Sequence, residues 1–186
     1  MNKIWERVRG RLQARQERRA NRTAENALSE AARLVFDEAE YLSQNPDVQA
    51  SGLAPCVHFL QHGHREGRLP GDPTRSDFRE RTQAALSRLP RNPHVLDWHL
   101  HALLGAWQSG QHASLERGAK ALLAQGMPIE QMAAVAARHA LHTYVQWRGC
   151  QGTMDRQHLD SLVSWWRSWL PTHPELELAA AAWLYE

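Results

Sequence analysis

Residues 36–70 read FDEAEYLSQNPDVQASGLAPCVHFLQHGHREGRLP and hold the densest helix-start and helix-stop signals of this 186-residue chain. Asp37 is a residue type that accepts a backbone N–H bond at the start of a helix. Asn45-Pro46 predicts the end of that helix, because the residue before proline avoids the α region. Pro46 also suits the first position of a second short helix over 47–50.

Glycine and proline divide the rest of this stretch in the same way. Gly52 can adopt the left-handed conformation that ends a helix. Pro55 then starts a third helix through Cys56 to Leu60, which Gly63 or Gly67 closes. We therefore predict a compact module of short helices over residues 36–70.

The module resembles a small helical unit of bacterial proteins of cell-surface polysaccharide assembly, where it often stands beside glycosyltransferase domains. The strings FDEAEYLSQNPDV, HFLQHG and REGRLP carry the resemblance, together with Gly52. The matching positions are Phe36, Asp37, Tyr41, Leu42, Asn45, Pro46, Asp47, Val48, Gly52, Pro55, His58, Phe59, Gly63, Glu66, Gly67, Arg68 and Pro70. The match covers about a fifth of the chain. It implies a role in glycan assembly and brings no catalytic residue with it.

The remaining composition predicts an all-α protein. Alanine and leucine are abundant, β-branched residues are scarce, and no alternating strand pattern of useful length occurs. The two cysteines, Cys56 and Cys150, form no metal or redox spacing, which favours a reducing cytoplasm. No apolar run approaches the roughly 20 residues that span a bilayer, and the N-terminus lacks the apolar core of a signal peptide.

The N-terminal arm, residues 1–35, is predicted to be one long helix or two in line. Its first 22 residues carry eight basic and two acidic side chains, whereas the rest of the chain carries 14 basic and 18 acidic. Such a helix can lie on an anionic membrane surface, which would make the protein peripheral on the inner membrane. The membrane-surface candidates are Lys3, Trp5, Arg7, Arg11 and Arg15.

Two other interpretations of the arm remain open. A solvated, frayed helix explains the same charges. Nucleic acid is a third partner class, but an arm without a recognised reading motif supports it only weakly. From Ala24 to Val35 an apolar stripe appears at helical spacing, and we expect this half to pack on the module.

Beyond the module, residues 71–92 are predicted to form a linker and a connecting helix from about Arg75 to Leu89. Residues 93–186 are predicted to form antiparallel helical pairs near 93–109, 113–125, 128–148, 155–170 and 174–186. Leu89-Pro90-Arg91-Asn92-Pro93 is echoed by Leu170-Pro171-Thr172-His173-Pro174, and each precedes an apolar helix. The architecture resembles tetratricopeptide-like and related α-solenoids. The sequence stops within an apolar helix, so we expect a partner chain or a further segment to cover it.

Candidate metal ligands are confined to the module. His58 and His62 lie four residues apart on one predicted helix, close to Cys56, a spacing that can place two imidazoles on one metal. However, the module pattern already accounts for His58, which we expect to hydrogen-bond a neighbouring turn. We therefore predict no metal and no cofactor.

Four side chains are candidates for contact with a protein partner. Trp98 and Trp165 lie off the apolar stripes of their helices, so they would anchor a partner if exposed. Burial against an adjacent helical pair is the alternative, and we favour it. In the module, the candidates are Tyr41 and Arg68.

These patterns predict a non-catalytic interaction or positioning domain of bacterial cell-surface polysaccharide assembly. The chain contains no phosphate-binding glycine loop, nucleophile elbow or paired acidic metal motif, so we expect no catalysis by this chain alone. One alternative is the helical N-terminal region of a glycosyltransferase whose catalytic domain lies outside the chain. The other is a regulatory protein that binds nucleic acid through its basic arm.

Overall fold

The computed structural model describes residues 2–108 and 112–137, together with Ser164 and Pro174. These residues form helices and turns without any β-strand, which confirms the all-α prediction. The chain divides into two compact units, Met1–Asp72 and Pro73–Glu186. We describe each unit by itself.

The first unit begins with one long helix, α1, Asn2–Val35. Its C-terminal turns are packed, with Leu28, Ala31, Ala32 and Val35 buried. Residues 9–26, by contrast, are exposed except for the half-buried Ala14. Among the side chains that the structure describes in α1, those of the second half therefore form the packed face, as predicted.

The module follows as α2 (Glu38–Gln44), α3 (Pro46–Ser51), α4 (Pro55–His58) and a π-helical turn (Phe59–Gly63). The Asp37 carboxylate accepts a 2.9 Å bond from the Glu40 N–H, so it caps α2 as predicted. Pro46 and Pro55 stand in the first turn of their helices, and Gly52 ends α3 with a φ of 71°. A residue with a Cβ would be strained at that angle.

The first and last residues of the module are joined by backbone and side-chain bonds. The Asp37 N–H donates to the Pro70 carbonyl at 2.9 Å. The buried Glu40 carboxylate accepts a 3.2 Å bond from the Asp72 N–H. The module is thus a closed loop of helices whose two ends meet.

The second unit contains α5 (Ser76–Arg88), α6 (Pro93–Gln108), α7 (His112–Ala124) and a further helical stretch over residues 129–137. α6 packs on both α5 and α7. The helix predicted between Arg75 and Leu89 is α5, and its buried face includes Phe78, Ala85 and Leu86. It is therefore part of the packed unit and not an isolated connector.

The last helices of the prediction lie largely outside the described residues. The helix predicted over 128–148 is described from 129 to 137. Those predicted at 155–170 and 174–186 are described only at Ser164 and Pro174, both of which are helical. Across the described residues, no helix combines the length and the apolar character needed to cross a membrane.

Candidate partner-binding site

Arg68 is the centre of a polar cluster on the module. Its Nη1 donates to the Asn45 side-chain oxygen at 2.9 Å and to Asp47 Oδ1 at 2.9 Å. Its Nη2 donates to Asp47 Oδ2 at 2.8 Å, and its Nε donates to Glu66 Oε2 at 2.7 Å. The hydrogen bond from Arg68 lowers the pKa of Asp47, and the same bond raises the pKa of the guanidinium. Four of the five N–H donors of Arg68 are thus used inside the module.

This geometry corrects the prediction for Arg68. A guanidinium that already binds two carboxylates and an amide has little capacity left for a partner. It ties the α2–α3 junction, which holds Asn45 and Asp47, to the segment after the π turn, which holds Glu66. We therefore assign Arg68 a structural role.

Tyr41 is corrected in the same way, because its side chain is fully buried. Its ring packs against Phe36 and Phe59, with centroid distances of 5.2 Å and 5.6 Å. Its hydroxyl shares a 3.0 Å hydrogen bond with His58 Nδ1. Burial is the main cause that raises the pKa of Tyr41. A side chain enclosed in this way cannot contact a partner.

Gly63 completes the environment of the Tyr41 hydroxyl. A Cβ added at Gly63 would collide with the Tyr41 oxygen and press on the Phe59 ring. Gly63 is itself buried and lies in the same π turn as Phe59, whose ring packs against Tyr41 of α2. The glycine is needed here for close approach, since its φ is not in the left-handed region.

The histidines of the module do not converge on a metal. His58 is buried and bonded to Tyr41, which differs from the predicted bond to a neighbouring turn. The His62 ring centroid is 5.6 Å from that of His58, but His62 is exposed. Burial raises the pKa of Cys56, with a smaller contribution from Glu38. Within the described ranges, no group of three or more His, Cys, Asp or Glu residues could hold a metal ion.

Trp98 is buried in the second unit, with 4% of its surface exposed. The His94 ring lies 6.0 Å from it. The anchor role was predicted only for an exposed Trp98, so the burial of this side chain argues against it. Packing of Trp98 against an adjacent helical pair stays a prediction. Trp165 lies outside the described residues.

The membrane-surface candidates all belong to α1. Arg11 and Arg15 are exposed. The side chains of Lys3, Trp5 and Arg7 lie outside the part that the structure describes, although their backbone belongs to the helix.

The second unit has an open groove of about 510 Å³ between α5, α6 and α7. Arg79, Glu80 and Arg117 contribute charged side chains to its walls. Pockets that hold small cofactors enclose most of the ligand, whereas this groove is largely open to solvent.

His99, at the base of the groove, is held by a buried hydrogen-bond pair. Thr82 Oγ donates to the Arg79 carbonyl at 2.9 Å, so it accepts from His99 Nδ1, also at 2.9 Å. This arrangement places a hydrogen on Nδ1 of the imidazole. Burial, aided by the charge of Arg79, lowers the pKa of His99 to about 4.

One surface of the module was not predicted from the sequence. Residues 49–54 and Val57 are exposed, and Leu53 and Val57 leave 43% and 41% of their surfaces uncovered. A signal was present, because no Asp, Glu, Lys or Arg occurs between Asp47 and Arg65. We call residues 49–54 and Val57 the charge-free surface. Depletion of charge is a property of the centre of protein interfaces.

No protein-family model, curated protein or solved structure matches the chain.

Proposed function

We propose that this chain is a non-catalytic interaction and positioning domain, and that it holds a glycosyltransferase domain during bacterial cell-surface polysaccharide assembly. The glycan context comes from the resemblance of the module. The proposed mode of contact is the same whether the glycosyltransferase domain lies on another chain or on the same polypeptide. The cytoplasm is the proposed location, since that is where nucleotide-sugar donors are available.

One observation carries the proposal. The module side chains that could take part in chemistry or binding are hydrogen-bonded within the module, since Arg68 binds Asp47 and Tyr41 binds His58. The charge-free surface is instead exposed, with Leu53 and Val57 as its large apolar side chains. This division is expected of a module that presents a surface and performs no chemistry.

The test is an affinity capture from a bacterial lysate with three forms of the full chain. The wild type should retain a glycosyltransferase or another polysaccharide-assembly protein, identified by mass spectrometry. Leu53→Asp/Val57→Asp should lose it, because two charges would be placed at the centre of the interface. Ile129→Asp changes another exposed apolar residue, 48% exposed, and should retain it.

Two outcomes would overturn the proposal. In one, the captured proteins include none of polysaccharide assembly, or the double variant retains them as well as the control does. In the other, the purified chain alone releases nucleotide from a nucleotide sugar, which would make it an enzyme.

A further inference from the structure

Five of the six arginines in the exposed part of α1, residues 9–26, lie on one face of the helix. At about 100° per residue, they fall within an arc of about 100°. They form the arginine stripe, defined as Arg11, Arg15, Arg18, Arg19 and Arg22. All five side chains are exposed, and none makes an ion pair with any other described residue.

The stripe faces away from the packed side of the same helix. Leu28, Ala31 and Val35 mark the side of α1 that is buried in the first unit. By helical register, the centre of the stripe is about 140° from the centre of that side. The stripe is therefore directed away from the core of its own unit.

The acidic residues of this part of the helix do not neutralise the stripe. Positions 6 and 17 fall on the side of the helix opposite to it, by the same register. The Glu17 carboxylate accepts a 3.1 Å bond from the Gln13 side chain, which lies on that opposite side. The third acidic residue, Glu25, lies beyond Arg18, about 70° from the centre of the stripe. The centre of the stripe thus presents one sign of charge to whatever contacts it.

The first three turns of the helix add apolar residues to the same side. Register positions 4, 5, 8 and 12 hold Ile, Trp, Val and Leu, and they fall within an arc of about 100° that overlaps the arc of the stripe. The side chain of Leu12 is 56% exposed. A flat surface that contacts the stripe would contact these positions too.

We propose that this face of α1 binds an anionic lipid surface, with the apolar first turns at the acyl boundary and the arginine stripe over the headgroups. Nucleic acid is a polyanion without an apolar layer. It would bind the arginines but would not bury the apolar residues of the first turns, which include a tryptophan. No described helix can span a bilayer, so the helix lies along the surface. This proposal does not depend on the proposed function, because it concerns a different surface.

The test is flotation of the full chain with phosphatidylcholine vesicles that contain or lack 30% phosphatidylglycerol. The wild type should float only with the anionic vesicles, and less at 500 mM salt because the attraction is screened. Each arginine should contribute about fivefold to binding, so Arg15→Gln/Arg19→Gln/Arg22→Gln should bind about 100-fold more weakly.

A matched control removes the same charge elsewhere. Arg9→Gln/Arg65→Gln/Arg91→Gln changes three exposed arginines off the stripe and should bind within about fivefold of the wild type. Circular dichroism establishes that both variants keep their helix content. Equal losses in the two triple variants would overturn the proposal, as would flotation with neutral vesicles or no flotation.

Trp5→Ala separates lipid from nucleic acid. It should weaken vesicle binding about tenfold, because the interfacial tryptophan is removed. If a 25-base-pair duplex binds more tightly than anionic vesicles at physiological salt, and Trp5→Ala leaves vesicle binding unchanged, the lipid assignment is wrong and nucleic acid takes its place.

Discussion

Arginine serves opposite purposes in two regions of the first unit. In the module, Arg68 is matched by Asn45, Asp47 and Glu66 through four hydrogen bonds of 2.7–2.9 Å. In the exposed part of α1, the arginine stripe has no such partners among the described residues. Paired charge fixes how short helices are arranged, whereas unpaired charge is available to another molecule. The polar contacts of Arg68 therefore help to hold the module in its fold, whereas the arginines of the stripe make no such contacts.

The largest expected effect concerns the second unit, where the buried pair Thr82–His99 is the counterpart of the polar contacts of the module. The pKa of His99 is about 4 in the folded chain, against 6.5 for a free histidine. As the pH falls from 6.5 to 4, the unfolded chain binds the proton first, so the free energy of unfolding should fall by roughly 3 kcal/mol. His99→Gln should lack this part of the pH dependence. Urea unfolding at pH 7, 5.5 and 4.5 measures it, with the exposed His62→Gln as the control.

Gly63→Ala should destabilise the first unit by about 2 kcal/mol, because the added methyl group displaces the Tyr41 hydroxyl from a packed core. Chemical denaturation measures the loss. In a Tyr41→Phe background the same change should cost less, since the colliding oxygen is gone. Gly10→Ala is the control, because nothing lies within 4 Å of a Cβ there. It should raise helix content locally and change the free energy of unfolding by less than about 0.5 kcal/mol. Equal effects at Gly63 and Gly10 would contradict the packing described for the π turn.

Arg68→Met should lower the free energy of unfolding by about 1 kcal/mol, mainly through the lost bond to the partly buried Asn45. The pKa of Asp47 lies below 3.8 because of the Arg68 bond, so the stability it contributes is present above that pH. It is lost as the pH falls through the lowered value. The variant should therefore show a smaller decline below pH 4. Arg65→Met, at an exposed neighbour, should behave like the wild type.

Deletion of residues 2–22 should have the smallest effect, under about 0.5 kcal/mol, because residues 9–22 are exposed apart from the half-buried Ala14. Helical ellipticity should fall while the unfolding midpoint stays in place. Leu28→Ala, in the packed half of the same helix, should cost about 2–3 kcal/mol. If the deletion lowered the free energy of unfolding as much as Leu28→Ala, the conclusion that the two halves of α1 differ in packing would be wrong.

Local rules were sufficient to predict the framework of the module. The cap at Asp37, the break at Asn45-Pro46 and the turn at Gly52 depend on neighbours within three or four residues. The structure has each of them where the sequence predicts it. The helices of the second unit were also found within one or two residues at each end, as far as they are described.

The contacts that decide the candidate site could not be predicted in this way. The Arg68 bonds join residues 21 and 23 positions apart, and the Tyr41–His58 bond joins residues 17 apart. Composition alone does not show which polar groups meet. Tyr41 was therefore predicted as a partner contact, although its hydroxyl has a buried acceptor or donor in His58. The π turn was missed for the same reason, since it is fixed by the fit of Phe59 and Gly63 against Tyr41.

The bond between the Asp37 N–H and the Pro70 carbonyl has a further consequence. A segment that starts and finishes at one point can be carried within a surface loop of a host protein without forcing the flanking host residues apart. Residues 37–70 have this geometry, with 2.9 Å between the two joined atoms. We therefore expect the module to tolerate insertion into a host loop, provided that the packed turns of α1 around Leu28 and Val35 are carried with it.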